Sequence, residues 1–192
     1  LTSRDKKSEN PIPMAGFPWH ALEDNLRQML QAGHKVCVAE QEDELREGAK
    51  LLERIVTRIY TPGSLYEESL IGTDEVAMLA ALVVRSDTIG LATLDASTGQ
   101  VWTVEYSGDE RWARILDELL RSRPNELVFS PRDGDRAELG NLVSQLNGIV
   151  LSQHTSSEKR GQEALKQVLE VSDLGHIDLG DAPLAMSAAG LA

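Results

Sequence analysis

Apolar residues in the first sixty positions change from helical spacing to a continuous run and then to strict alternation. The helical part predicts an amphipathic helix over about 20–32, and Gly33 stands where a left-handed residue commonly ends a helix. The apolar positions of that helix are Leu22, Leu26, Met29 and Leu30. A continuous apolar run inside 35–41 then predicts a strand covered on both faces, with Cys37 as a buried packing residue.

Residues 53–60 alternate between apolar and polar side chains, which predicts a further strand. In a regular strand Arg54 and Arg58 share one face. Cations on one face could contact the phosphates of a nucleic acid, or each could pair with a nearby acidic side chain, and the pattern leaves both interpretations open. Pro62 followed by Gly63 then predicts a type II turn.

The pattern after residue 75 predicts three strands in succession, joined by turn-rich connections, and then an alternation of helices and strands. The predicted strands are 76–84, 89–94, 101–106, 127–129 and 149–151, and the predicted helices are 109–122, a segment around 139–146, 158–170 and 183–192. This is the element order of an RNase H-like fold, a mixed sheet flanked by helices in which the later strands run parallel to the first.

Charge divides the chain into two parts. The whole chain carries a net charge of −12. Residues 1–62 hold nine Lys/Arg and ten Asp/Glu, a net of −1, whereas residues 63–192 hold ten and twenty-one, a net of −11. We therefore expect a small mixed α/β domain over 1–62, a linker over 63–74 and an acidic α/β domain over 75–192. The first domain can contact a polyanion, which the second would repel.

The bulk composition excludes several classes of protein. An apolar fraction of 41% is ordinary for a folded chain. The single cysteine excludes an internal disulfide and indicates a reducing compartment. No apolar run approaches the roughly 20 residues that cross a bilayer, so we expect a cytoplasmic location and no membrane partner. Because the first residue is Leu1, we expect a piece of a longer protein.

Carboxylates in the acidic part raise the possibility of metal-dependent catalysis. Asp95 ends a predicted strand, and RNase H-like nucleases hold two metal ions with carboxylates at such positions. Glu118, Asp133 and Asp178 are the other acidic candidates, in helices or loops whose orientation the sequence leaves open. Asp95 could instead accept hydrogen bonds from the turn amides of 97–99. No Cys/His metal motif occurs in the sequence.

Several phrases of the sequence resemble those of the MutS family of DNA mismatch-recognition proteins. The segment 11–21 is similar to the family phrase Pro-Met-Ala-Gly-x-Pro-Tyr-His, with Trp19 in place of tyrosine. Residues 32–41 resemble Gly-x-x-Val-Ala-x-x-Glu-Gln, and 61–64 resemble Thr-Pro-Gly-Thr with Ser64 as the last residue. Further likenesses at 94–99 and 188–190 extend the resemblance over essentially the whole chain.

The resemblance implies the later part of a mismatch-binding domain followed by an RNase H-like connector domain. The family's DNA-inserting Phe-x-Glu motif lies upstream, and its P-loop ATPase, with ATP and Mg, lies elsewhere, so the fragment itself is expected to need no cofactor and to be no enzyme. The implied partners of the full-length protein are mismatched double-stranded DNA, a MutL-type protein and a second copy of itself. A nucleoid-associated cytoplasmic location follows.

On this interpretation the basic face of 1–62 packs along DNA, where phosphate contacts position a protein without reading sequence. The candidate DNA-binding residues are Arg4, Lys6, Lys7, Arg54 and Arg58. The resemblance also marks a structural motif, which comprises Met14, Gly16, Pro18, His20, Pro62 and Gly63. Two alternatives stay open at this point: a metal-dependent nuclease built on Asp95, and a purely structural interaction domain without DNA contact.

Overall fold

A computed structural model of the chain describes residues 2–3, 13–42, 52–63, 77–155, 158–174 and 182–192. Within these ranges the first part of the chain, here called the ribbon unit, ends at Gly63. It contains two antiparallel strand pairs and one α-helix. Its elements are β1 (Thr2–Ser3), β2 (Pro13–Met14), a 3₁₀ turn (Trp19–Ala21), α1 (Leu22–Gln31), β3 (Val36–Gln41) and β4 (Arg54–Tyr60).

Helix α1 forms and ends as its sequence predicts. Glu23 and Asp24 occupy its first turn, where the helix dipole favours negative charge. Gly33 follows the helix with φ +82°. The Gly33 N–H donates to the carbonyl of Leu30 at 2.9 Å, and the next N–H donates to the carbonyl of Met29 at 3.0 Å. These are the two bonds of a Schellman motif, so the predicted helix end is confirmed.

Strand β3 pairs with β4, and helix α1 covers one face of this pair. Val36 and Val38 pack against the buried residues Leu26, Leu30 and Tyr60. The prediction that β3 is covered on both faces is wrong for the described residues, and Cys37 is exposed rather than buried. The reason is alternation: Cys37 lies between the two valines and therefore points away from the helix, beside Ile59 of β4.

The second part, here called the sheet unit, begins at Ala77 in the described chain. Its sheet has the order β7–β6–β5–β8–β9. The antiparallel meander is β5 (Met78–Arg85), β6 (Thr88–Asp95) and β7 (Gln100–Ser107), and the strands β8 (Glu126–Phe129) and β9 (Val150–Gln153) run parallel to β5. The predicted RNase H-like order and strand directions are confirmed.

Helices cover both faces of this sheet, as the sequence predicts for an α/β fold. Helices α2 (Arg111–Ser122) and α3 (Ala137–Val143) bury Ile115, Leu119, Leu139 and Leu142 against one face. Helix α5 (Pro183–Ala189) packs on the other face, and α4 (Glu158–Val168) contacts α5. The largest fully buried side chains all belong to the layer under α2, which is therefore the main core.

Helix α5 and the residue after it approach neighbouring backbone closely at two glycines. A Cβ on Gly90 of β6 would lie 2.2 Å from the carbonyl carbon of Leu184. A Cβ on Gly190 would lie 2.2 Å from the carbonyl oxygen of Gly161 in α4. Glu105 of β7 accepts hydrogen bonds from the N–H groups of Leu184 and Ala185 at the start of α5. The two glycines leave room for these close approaches, and with the Glu105 carboxylate they hold α5 against the sheet and against α4.

Candidate nucleic-acid interface

The predicted DNA-binding cations fall partly outside the described chain. Arg4, Lys6 and Lys7 lie outside the described residues, as do Asp178 and all of the predicted linker 63–74 except Gly63. Arg54 and Arg58 both lie in β4, where they can be placed. The structure therefore places two of the five candidates, both in the same strand of the ribbon unit.

A β-bulge in β4 separates Arg54 from Arg58. Val38 lies opposite Arg58, but the next residue of β3, Ala39, lies opposite Val56, so Thr57 is the extra residue. The Thr57 hydroxyl donates to the Val38 carbonyl at 3.3 Å. Because each strand residue otherwise alternates between faces, one inserted residue reverses the faces of everything beyond it.

The prediction that the two arginines share a face is therefore wrong. Arg58 lies opposite Val38, whose side chain packs on the helix side of the ribbon unit. Arg54 lies opposite Gln41, which is on the same side of β3 as the exposed Cys37. Alternation alone could not reveal this, because a bulge leaves no reliable trace in the polar and apolar pattern.

Arg58 is held by an aromatic ring of its own strand. Its Nη1 donates to the Tyr60 hydroxyl at 3.1 Å, and its guanidinium carbon lies 5.7 Å from the centre of the Tyr60 ring. At this distance the cation is attracted to the face of the ring. Both arginines are exposed, but Arg58 bonds to a tyrosine that is buried against α1, whereas Arg54 lies on the opposite side of the strand pair.

The segment before α1 is exposed, with its aromatic residues toward solvent. Trp19 is 86% exposed and Phe17 44%. Pro18 precedes the 3₁₀ turn, and its carbonyl accepts the Ala21 N–H at 2.9 Å. Gly16 and His20 are exposed as well, and Met14 lies in β2 opposite Thr2. Assignment of these residues as a structural motif stays a prediction.

Pro62 and Gly63 form a turn, but not the predicted type II turn. That turn needs a positive φ at its third residue, and Gly63 does not have one. Both residues are buried. A Cβ on Gly63 would lie 2.7 Å from Cβ of Glu126 and 2.9 Å from Cδ1 of Leu79. Glycine is required here by a close approach of the two units and not by backbone conformation.

Asp95 makes the turn that follows β6. Its Oδ1 accepts hydrogen bonds from the hydroxyl and the N–H of Ser97, the latter at 2.9 Å, and from the Thr98 N–H at 3.4 Å. The Ser97 hydroxyl bond is the main cause that lowers the pKa of Asp95 from its ordinary value of 3.8. The carboxylate is therefore used by the local backbone, as one of the sequence interpretations proposed.

The other described carboxylates proposed for a metal site are engaged elsewhere. Glu118 accepts the Tyr106 hydroxyl at 3.1 Å and pairs with Arg121. Asp133 is buried and pairs with Arg136 at 3.0 Å. Within the described ranges no group of three or more His, Cys, Asp or Glu side chains is placed to hold a metal ion. The geometry therefore offers no support for a two-metal nuclease.

Sequence reasoning missed two acidic residues that join distant elements, Glu105 and Glu126. Glu126 is 2% exposed and begins β8. A carboxylate in a buried strand is a signal that could have been used, because a buried charge requires partners. Glu105 carried no such signal, since its alternation in β7 is typical of a solvent-facing residue.

No helix in the described part of the chain combines the length and the apolar character that a membrane crossing requires.

Comparison with protein families gives two consecutive matches. Residues 1–69 match the model of MutS domain I, and residues 77–192 match the model of MutS domain II.

Individual relatives agree with these matches. The chain is 35% identical over 194 residues, covering 100% of the chain, to a DNA mismatch repair protein MutS of Anaeromyxobacter dehalogenans (strain 2CP-C), of which it covers 21%. It is 37% identical to the protein of that name in Rickettsia canadensis (strain McKiel), over 77% of the chain and 17% of the relative. The chain thus spans about a fifth of the length of the curated relatives it matches.

Proposed function

The chain belongs to the MutS family of DNA mismatch repair proteins, and from this premise we propose that it is the DNA-side module of such a protein. In this proposal the ribbon unit contacts the DNA backbone and the sheet unit connects it to the rest of the protein. The consecutive matches to domains I and II carry the proposal. The proposed domains are 1–62 and 75–192, with a linker over 63–74.

The remaining machinery is proposed to lie outside this chain. The upstream Phe-x-Glu motif would insert beside the mismatched base, and a separate P-loop domain would bind ATP and Mg. The full-length protein would act as a homodimer, bind mismatched double-stranded DNA and signal to a MutL-type partner, in the cytoplasm and near the nucleoid. The fragment alone would then neither read a mismatch nor hydrolyse ATP.

Charge supports the assignment of DNA contact to the ribbon unit. Residues 1–62 are almost neutral, whereas the remainder carries a net charge of −11 and would repel phosphates. Among the described candidates Arg54 suits a phosphate contact best, because Arg58, although it is also exposed, already donates to the Tyr60 hydroxyl. Arg58, Arg4, Lys6 and Lys7 remain candidates in the same proposal.

Salt-dependent DNA binding tests this function. The 192-residue chain and a version extended upstream through the Phe-x-Glu segment would be titrated with a matched duplex and with one carrying a single mismatch. We expect the extended protein to bind and to prefer the mismatch, and the short chain to bind weakly at best. If the extended protein binds neither duplex, the DNA-contact proposal is wrong and an interaction domain without DNA contact is supported.

Arg54→Ala in the extended protein tests the individual contact. Each phosphate contact contributes about 0.9 to the slope of log affinity against log salt, so we expect the slope to fall by about 0.9 for matched and mismatched duplexes alike. Arg132→Ala is the matched control, because Arg132 is also exposed but lies in the acidic sheet unit. An equal effect of the two substitutions would contradict the assignment of Arg54.

A further inference from the structure

Glu126 is a buried carboxylate whose two oxygens serve different parts of the chain. Its Oε1 accepts the hydroxyl of Ser152 in the neighbouring strand β9. Its Oε2 accepts the backbone N–H of Gly63 at 3.2 Å, which belongs to the turn that ends the ribbon unit. Because burial of a carboxylate is costly without hydrogen bonds, the Gly63 N–H is a partner that Glu126 loses if the units separate.

The shape of the contact agrees with its hydrogen bonding. Gly63 approaches so closely that a Cβ on it would overlap Cβ of Glu126 and Cδ1 of Leu79. The end of α1 also lies close to the sheet unit, because a Cβ added to Gly33 would be 3.4 Å from Cγ2 of Val150. Close approach at two separate places restricts the orientation of the ribbon unit more than approach at one place would.

These contacts gather at one edge of the sheet. Leu79, Glu126 and Val150 lie at the amino ends of β5, β8 and β9, which run parallel. The ribbon unit therefore sits over the amino ends of the three parallel strands. A displacement of β8 along its axis would push directly on the turn at Gly63.

We propose that Glu126 is a latch between the units: it binds the Pro62–Gly63 turn and sets the orientation of the ribbon unit on the sheet unit. This goes beyond the proposed function, because it concerns the joint itself and holds whether or not DNA is bound. The latch makes the described parts of both units one body, and rearrangement of the ribbon unit requires that the Glu126–Gly63 contact opens.

The distance between spin labels on the two units tests the latch. Cys37, the single cysteine of the chain, is exposed and accepts the first label, and Asp109→Cys provides a second exposed site in the sheet unit. In the labelled 192-residue chain we expect pulsed electron paramagnetic resonance to give one narrow peak in the distribution of distances between the two labels. Gly63→Ala, which blocks the approach, and Glu126→Met, which removes the acceptor, should each abolish that narrow peak.

Two matched variants separate the latch from general damage. Glu126→Gln keeps a carbonyl acceptor for Gly63, and Ser152→Ala removes only the bond within the sheet unit, so both should retain the narrow peak. The proposal is overturned if Gly63→Ala and Glu126→Met both retain the peak, or if Ser152→Ala loses it equally. It is also overturned if Gly63→Ala unfolds the sheet unit by circular dichroism, because the contact would then belong to the core of that unit.

Discussion

Glu105 holds the start of helix α5 from a strand that is distant in sequence. Its Oε2 accepts the N–H of Leu184 at 2.8 Å and the N–H of Ala185 at 3.1 Å. These are the second and third residues of the helix, and Ala182 before it provides no side-chain cap. Glu105→Ala would leave both N–H groups without this acceptor, as removal of an N-cap does.

The cost follows from known values for such bonds. Replacing an N-cap side chain by alanine costs about 0.5–2 kcal/mol, and hydrogen bonds to charged groups contribute about 1.5–3 kcal/mol. Since Glu105 is half-buried and makes two bonds, we expect Glu105→Ala to cost about 2 kcal/mol. In a chain of this length that lowers Tm by about 4–8 °C. Glu105→Gln keeps one acceptor oxygen and should cost less.

Urea unfolding followed by circular dichroism measures the loss, and amide hydrogen exchange locates it at Leu184 and Ala185. The control is Glu163→Ala, which removes the same charge from an exposed pair with Lys159 at 3.9 Å. Such pairs contribute about 0.3–0.5 kcal/mol. The reasoning is refuted if Glu105→Ala costs no more than this control, or if the two amides exchange at their wild-type rates.

Three further results are expected. Gly90→Ala should lower the free energy of unfolding in urea by about 1–3 kcal/mol or more, because the new Cβ would overlap the Leu184 backbone. Gly140→Ala should raise it by about 0.5–1 kcal/mol, because the new Cβ would meet open space in α3. The turn bonds lower the pKa of Asp95, so the stability advantage of wild type over Asp95→Asn should be present above pH 3.8 and vanish as pH falls through the folded pKa. Burial, and then the bond to Glu118, raise the pKa of Tyr106 above its ordinary value of 10.0. The ultraviolet titration of Tyr106, obtained as the difference between wild type and Tyr106→Phe, should therefore have a midpoint above pH 10.0. The stability that the neutral Tyr106 hydroxyl contributes should be lost as pH rises through this folded-state pKa.

The sequence predicts those elements whose signals are local. Helix α1 was predictable because apolar spacing, acidic residues in its first turn and Gly33 at its end agree with one another. The order of the larger sheet was predictable for a related reason, since short turns enforce the antiparallel meander and intervening helices enforce the parallel strands.

Features that depend on distant partners were not predictable. Whether Cys37 is buried depends on what packs against its face of β3, and the face on which Arg54 lies depends on the bulge at Thr57. The role of Gly63 as a point of close approach depends on Glu126, more than sixty residues later. Each is decided by tertiary contacts, which override local preference wherever the two disagree.

The placement of α5 also has a consequence for how the chain folds. The meander forms from neighbouring hairpins, but α5 reaches Gly90 only across roughly 90 residues of chain, and contacts of such separation form slowly. Until α5 docks, the face of the sheet that carries Leu79, Ala81 and Val128 lacks its cover. Partly assembled sheets with open apolar faces aggregate. The rate at which α5 docks, rather than the rate of hairpin formation, therefore sets how long refolding chains can aggregate.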